Sequence, residues 1–199
     1  MTETATPPLG AVCVFCGSST GEDPAFAAAA RAFGRTLARR GTTLVYGGGH
    51  VGLMGVLADA ALAAGGQVVG VIPARLAERE LAHSRLTRLI LEASMHERKA
   101  KMASLADAFV ALPGGLGTLD ELFEIWTWAQ LGFHDKPIGL LDTAGFFTPL
   151  LALTAHMARA GFVREANLEL VLSDDDGERL LSRLEARAVS RSPRSLAGV

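Results

Sequence analysis

Apolar residues arrive along this chain in short dense runs, separated by longer stretches with helical spacing. The runs at 11–16, 42–46, 68–72, 87–91, 108–112 and 137–141 are bounded by turn formers and read as strands, and 168–172 reads as a seventh. Between them lie amphipathic segments. Asp23 and Pro24 form a start signal, a capping side chain followed by a proline at the first helical position. Phe26, Ala30, Phe33 and Leu37 then fall on one stripe, which stops at Gly41. Further helices are predicted over 53–64, closing on Gly65 and Gly66, and over 94–106, 118–131 and 146–160. Asp174-Asp175-Asp176-Gly177 would cap a last helix through residue 188. The charged stretch 74–84 lacks strong periodicity and reads as an exposed loop with one short helix.

Strands alternating with helices from end to end predict an α/β fold: a single Rossmann-like, doubly wound, mostly parallel sheet with helices on both faces. Residues 11–188 form the expected domain, residues 1–10 a flexible N-terminus and residues 189–199 a disordered tail. The 199 residues are 49% hydrophobic, enough to bury one substantial core. A net charge of −2 gives no global field toward nucleic acid or an anionic membrane, so neither is an expected partner. No apolar run approaches the roughly 18 residues a membrane span needs. The first residues are polar and include Glu3, unlike a secretory signal, so a cytoplasmic location is expected.

Sheets of this kind bind ligands beyond the carboxyl ends of their strands. Three small-residue loops lie there, at 17–21, 47–52 and 113–117. Gly47-x-Gly49-x-x-Gly52 matches a dinucleotide fingerprint, but it follows the second strand and no acid ends the next one, where Val71-Ile72-Pro73 stands. Either tight helix–sheet contact or close approach to a mononucleotide explains these glycines better, and Gly48 and Gly49 are candidates for the second role. In Pro113-Gly114-Gly115-Leu116-Gly117-Thr118-Leu119-Asp120-Glu121, a strand, a glycine turn and a helix start follow one another. That order places free backbone N–H groups and the Thr118 hydroxyl around an anion. Leu116, Leu119 and Asp120 share the turn, and Glu121 puts a carboxylate beside it.

Ser18 and Ser19 have no histidine base in the pattern and read as ligand-contacting hydroxyls rather than nucleophiles. Cys13 and Cys16, the only cysteines, lie three apart in a strand and point to opposite faces, so they read as buried structural thiols. The five histidines lack metal-ligand spacing, and no metal is expected. On the helix before the turn, Met95, Met102 and Leu105 define an inward stripe that also holds Arg98, with Lys99 on its flank. Glu97 and Lys101 read as solvated neighbours.

Met95-x-x-Arg98-Lys99 followed by Pro113-Gly114-Gly115-x-Gly117-Thr118-x-x-Glu121 resembles the signature of the LOG family of cytokinin-activating phosphoribohydrolases. Phe15-Cys16-Gly17-Ser18-Ser19, Val45-Tyr46-Gly47-Gly48-Gly49, Val71-Ile72-Pro73 and Thr127-Trp128-Ala129-Gln130-Leu131-Gly132 agree with it, so the resemblance covers about residues 11–172. Members have often been labelled lysine decarboxylases, a label that nothing in this sequence supports. The resemblance implies hydrolysis of the N-glycosidic bond of an adenosine 5′-monophosphate, often N6-isoprenylated, to free base and ribose 5-phosphate, with no cofactor. It maps Gly114, Gly115, Gly117 and Thr118 to the phosphate turn, Arg98 and Glu121 to the catalytic pair, and Glu80, Lys99 and Thr127 to substrate contacts. Leu81-Ala82-His83-Ser84-Arg85, just after Glu80, departs from the family's pattern, so base recognition does not transfer. A general AMP nucleosidase and a non-catalytic nucleotide carrier of the same fold remain as alternatives. The helix over 118–131 is apolar on nearly every side, which predicts cover by a second subunit, and the resemblance also implies a homodimer.

Overall fold

The computed structural model describes residues 9–77 and 82–190. Its strands are β1 (Ala11–Phe15), β2 (Thr43–Tyr46), β3 (Val68–Pro73), β4 (Arg88–Glu92), β5 (Ala108–Ala111), β6 (Ile138–Leu141) and β7 (Val171–Asp174). Its helices are α1 (Pro24–Arg39), α2 (Gly52–Ala63), α3 (Ala74–Leu76), α4 (Met95–Leu105), α5 (Leu116–Gln130), α6 (Thr148–Arg159), α7 (Glu165–Leu168) and α8 (Gly177–Ser190). The sheet runs β4-β3-β2-β1-β5-β6-β7, and every pairing is parallel, not mostly so. Each strand is joined to the next through a crossover helix or helical segment, which leaves no hairpin to introduce an antiparallel pair.

Phe33, Leu37, Leu57, Leu180 and Leu184 from α1, α2 and α8 bury one face of the sheet. Met102, Leu122, Ile125 and Phe147, from α4, α5 and the start of α6, bury the other. Each such side chain contributes about 1.5–3 kcal/mol when taken from water. Cys13 belongs to one core and Cys16 to the other, both as free buried thiols, as strand alternation requires. Burial pushes both thiols up, far from the thiolate that redox chemistry needs.

β1 stands at the centre, and the chain winds outward to β4 before returning to β5 on its other side. The register aligns Cys13 with Phe109 and Phe15 with Ala111, which brings the carboxyl ends of β1 and β5 level. Gly17 N then donates to Pro113 O at 3.0 Å and joins the loops that leave those two strands. The switch of winding direction therefore opens a crevice between them.

Several boundaries differ from the sequence reading. α5 begins at Leu116, so the glycine turn and the helix's first turn overlap. Residues 168–170 do not join β7, because α7 forms there and its Asn167 carbonyl accepts from Trp126 Nε1 at 2.8 Å. α6 starts at Thr148: Thr143–Gly145 makes a 3-10 turn with Ala144 at φ 54°, and the Asp142 carboxylate accepts from Phe147 N at 2.6 Å. α8 continues to Ser190, so the expected tail loses residues 189 and 190 to the helix. Asp23 and Asp176 both cap as expected, accepting from Ala25 N and Arg179 N at 2.8 Å. Residues 1–8 and 191–199, which make up most of the two termini expected to be flexible, lie outside the described residues.

Candidate active site

Proline and three glycines carry β5 into α5. The residue capping α5 is Gly115, and no side chain caps the first-turn N–H groups. The glycines divide by what surrounds them. A Cβ on Gly114 would lie 2.1 Å from Thr118 Oγ1 and 2.7 Å from Gly17 N, so the turn closes only on glycine there. A Cβ on Gly115 or Gly117 would meet nothing within 4 Å, and neither residue has a positive φ. At these two positions the bare backbone faces outward, the arrangement in which an anion reaches the amides of a helix start. Thr118 is buried beneath them, and Leu116 is 86% exposed beside them.

Glu121 follows Thr118 by one turn of helix and is 8% exposed. Burial raises its carboxyl to a pKa of about 7, against the pull of Arg98, which favours the charged form. Arg98 comes from α4, where Ser94 caps the helix by accepting from Glu97 N at 3.2 Å. Its Nη2 lies 3.1 Å from Glu121 Oε1, its Nε donates to Val71 O at 3.1 Å, and its Nη1 reaches Met95 Sδ at 3.0 Å. Behind the guanidinium stands Gly47, where a Cβ would sit 2.1 Å from Arg98 Nη2. Three partners and a glycine wall fix the cation against the carboxylate. A planar group held this way loses little freedom when it acts.

Lys99 joins the same two helices. Its Nζ lies 3.1 Å from both Asp120 and Glu124 of α5, and its side chain is 10% exposed. Burial lowers its pKa, but the hydrogen bonds to Glu124 and Asp120 outweigh this and hold it above the ordinary lysine value. Lys99 is thus engaged in an interhelical clamp, and Asp120 is one of its anchors.

Ser19 lines a cleft of about 240 Å³ with Thr20, Gly21, Phe26, Pro113, Gly114, Gly115 and Phe146. Ser18 is exposed on the same loop. Phe26 and Phe146 meet edge to face, with centroids 5.6 Å apart, and wall this cleft, a role for Phe26 beyond its place on the core stripe of α1. Met95 is 42% exposed rather than inward, since the first turn of α4 lies at the mouth, and Leu119 is half-buried against the α5 core. Gly48 and Gly49 are buried by the protein itself: Gly48 O accepts from His83 N at 2.9 Å and Gly49 O from Tyr46 Oη at 3.0 Å. The close approach expected of that turn is made to Arg98 by Gly47 and, at Gly52 with φ 60°, to the Ser18–Ser19 backbone.

Thr127 is not brought to the turn. It lines a separate apolar cleft with Phe123, Trp126, Thr154, Met157 and Leu168. That cleft shows α6 and α7 covering part of α5, so the chain itself meets some of the need for cover that had been assigned to a second subunit. Glu80 lies outside the described residues. Among the described residues no group of three or more metal-ligating side chains comes together, and no helix is long and apolar enough to cross a membrane.

A family described as "Possible lysine decarboxylase" matches residues 54–184. A cytokinin riboside 5′-monophosphate phosphoribohydrolase of Arabidopsis thaliana is 45% identical over 175 residues, 88% of this chain and 77% of the relative. One from Oryza sativa subsp. japonica is 45% identical over 174 residues, 87% and 72% of the two chains. Among solved structures, the molybdenum cofactor binding protein of Rippkaea orientalis superposes with a TM-score of 0.67 at 21% identity, covering 92% of this chain and 98% of that one. The Moco carrier protein of Chlamydomonas reinhardtii gives 0.66 at 19% identity, covering 90% and 98%. At these identities the structural likeness shows the shared fold alone. Identity near 45% across nearly the whole domain is decisive, and with the glycine turn, Arg98 and Glu121 in place the chain belongs to the LOG family of cytokinin riboside 5′-monophosphate phosphoribohydrolases.

Proposed function

We propose that this protein hydrolyses the N-glycosidic bond of adenosine 5′-monophosphates, N6-isoprenylated ones included, releasing the free base and ribose 5-phosphate. The carrying observation is the Arg98–Glu121 pair at 3.1 Å, buried beside a helix start with bare glycine backbone. Binding a phosphate needs the turn but not a half-ionised carboxylate beside it. Such a carboxylate, shielded from water, suits a reaction that builds positive charge on a sugar.

The 5′-phosphate takes the amides of Gly115 to Thr118, which sets the ribose over Glu121. As the C1′–N9 bond lengthens, its electron pair moves onto the adenine ring and C1′ becomes oxocarbenium-like. Ionised Glu121 stabilises that cation and receives a proton from the water whose oxygen bonds to C1′. Arg98 donates hydrogen bonds to the departing base and offsets its negative charge. Guanidinium keeps its proton near neutrality, so the proton the base gains comes from Glu121 or solvent. Energy from the phosphate contacts orients the ribose, so a nucleoside without phosphate is a poor substrate.

The enzyme acts in the cytoplasm as a homodimer. Supporting the dimer are large apolar side chains left at the surface: Leu116 on α5, Leu131 and Phe133 just beyond it, and Leu91 on the edge strand β4. Sedimentation showing a stable monomer with full activity would refute it. For the reaction, purified protein is mixed with AMP and with its N6-isopentenyl form, and base and ribose 5-phosphate are quantified. Release from both is expected, with kcat falling about a hundredfold or more in Glu121→Gln and in Arg98→Ala. Unchanged turnover in both variants sinks the assignment, and release from AMP alone makes the enzyme a general AMP nucleosidase.

A further inference from the structure

His83 is 5% exposed in a turn whose next two residues, Ser84 and Arg85, are exposed. Both of its ring nitrogens are engaged. Arg85 N donates to His83 Nδ1 at 3.2 Å, which leaves the ring proton on Nε2, 3.2 Å from Asp59 Oδ1. Asp59 belongs to α2, the helix that leaves the Gly47–Gly52 loop, and it also pairs with Arg85. Filling this volume with an apolar side chain would satisfy packing. A buried imidazole with two defined bonds instead fixes the 82–85 turn to α2 in one orientation.

The main chain of that turn reaches the glycine loop. His83 N donates to Gly48 O at 2.9 Å, and Ala82 forms an antiparallel bridge with Gly49. Tyr46 Oη holds Gly49 O from the opposite side, at 3.0 Å. The neighbour in this loop, Gly47, is the wall against which Arg98 Nη2 rests. A continuous chain of contacts therefore runs from Asp59 through His83, Gly48 and Gly47 to the Arg98 guanidinium.

We propose that His83, anchored on Asp59, is a positioning residue for glycosidic bond cleavage: it holds the Gly47–Gly49 turn, and the turn holds Arg98 at the leaving base. The proposal rests on the phosphoribohydrolase reading for its kinetic arm only. Glu121, Val71 O and Met95 Sδ hold the guanidinium on its other sides, and the glycine turn closes the remaining one. A slack glycine turn lets the guanidinium withdraw from the place where charge develops, and misplacement of about an ångström costs up to about a hundredfold in rate.

The test compares His83→Asn with His83→Gln in the full chain, with His83→Ala beside them. Asparagine keeps an acceptor at the reach of Nδ1 and loses the donor to Asp59, whereas glutamine places an amide N–H at the reach of Nε2. With AMP as substrate, Asn and Ala are expected to lower kcat at least about tenfold with KM within about twofold, and Gln to recover most of it. In an Arg98→Ala background, His83→Asn should cost nothing further. Independently of turnover, the Arg98 Nε–H on Val71 O should give a slowly exchanging NMR resonance. It should be lost in Asn and kept in Gln. His83→Asn as active as the parent chain, a change confined to KM, or full additivity with Arg98→Ala overturns the proposal. If the parent chain releases no base, the phosphoribohydrolase reading fails instead, and the Arg98 resonance alone decides the role of His83.

Discussion

Replacing Glu121 by glutamine keeps the side chain's shape and an acceptor oxygen for Arg98 while removing the ionisable group. In the folded protein the carboxyl titrates near 7 instead of the ordinary 4.5, because burial outweighs the attraction of Arg98. The folded state thus binds a proton more tightly than the unfolded chain. Stability falls as pH rises through the window from 4.5 to about 7 and stays low above it. A shift of this size corresponds to about 3 kcal/mol, at about 1.4 kcal/mol per pH unit. Glutamine resembles the protonated form at every pH. Glu121→Gln should therefore match the parent chain's stability near pH 4.5 and exceed it by about 3 kcal/mol at pH 8, roughly 6–12 °C in Tm for a domain of this size. Urea or thermal unfolding of both chains from pH 4.5 to 8.5 reads the difference, in which all other titrations cancel. The same variant should lose about a hundredfold in kcat. A Tm difference that does not widen with pH refutes the claim that the site holds its carboxylate at a cost to the fold.

Gly47→Ala places a methyl against the free end of the Arg98 side chain, 2.1 Å from Nη2, so the guanidinium moves rather than the backbone. Turnover should fall about tenfold to a hundredfold with Tm nearly unchanged, and a large loss of Tm with normal kcat speaks against the Gly47 wall. Gly115→Ala finds open space within the chain and should leave Tm unchanged while raising KM for AMP about tenfold or more, whereas Gly114→Ala should lower both stability and activity. Equal thermal losses in the two variants would remove the distinction drawn between them. Lys99→Met keeps the stem but unpairs Asp120 and Glu124, and should cost roughly 1 kcal/mol with KM little changed. A steep KM rise at unchanged Tm would instead return Lys99 to the substrate.

The strand and helix order was legible because each element is bounded by strong local signals, such as Asp23-Pro24 before α1 and the glycine turn before α5. The meeting of Arg98 and Glu121 was legible for a related reason: one short strand, β5, separates their helices, and both flank its carboxyl end. Other roles depend on contacts between distant segments. Nothing local to Gly47 announces that residue 98 will lie against it, and nothing near His83 names Asp59 as its partner. Thr127 illustrates a different limit. Six residues beyond Glu121 on one helix, it is turned by about 240° and lies on the opposite flank, so one chain's helix does not present both to one pocket. β7 was misplaced because Leu168–Leu172 has the composition of a strand, while a buried tryptophan N–H needed the Asn167 carbonyl and drew the preceding residues into α7.

The glycines separate what the fold requires from what a ligand requires. Gly52 and Gly114 are each held to their identity by backbone atoms of the chain itself, Ser18 C at 2.2 Å and Gly17 N at 2.7 Å from where a Cβ would stand. Gly48 takes a left-handed φ of 75°. These positions would be glycine in any protein that folds this way, whether or not it binds a nucleotide. Gly115 and Gly117 have neither reason: their φ values suit any residue and their surroundings are open. Glycine at an unconstrained helix start weakens that start: Ser or Asp would cap it better at 115 by a few tenths of a kcal/mol, and alanine at 117, inside α5, would be better by up to about 1 kcal/mol. A chain that forgoes this stabilisation at the position where its first-turn amides face outward, one turn before a carboxylate kept near half-ionisation by burial, has its glycines set by something that approaches from outside. An anion joined to a sugar would meet both demands at once: in the proposed reaction the phosphate uses the bare amides, and the carbon that becomes positive comes within reach of Glu121.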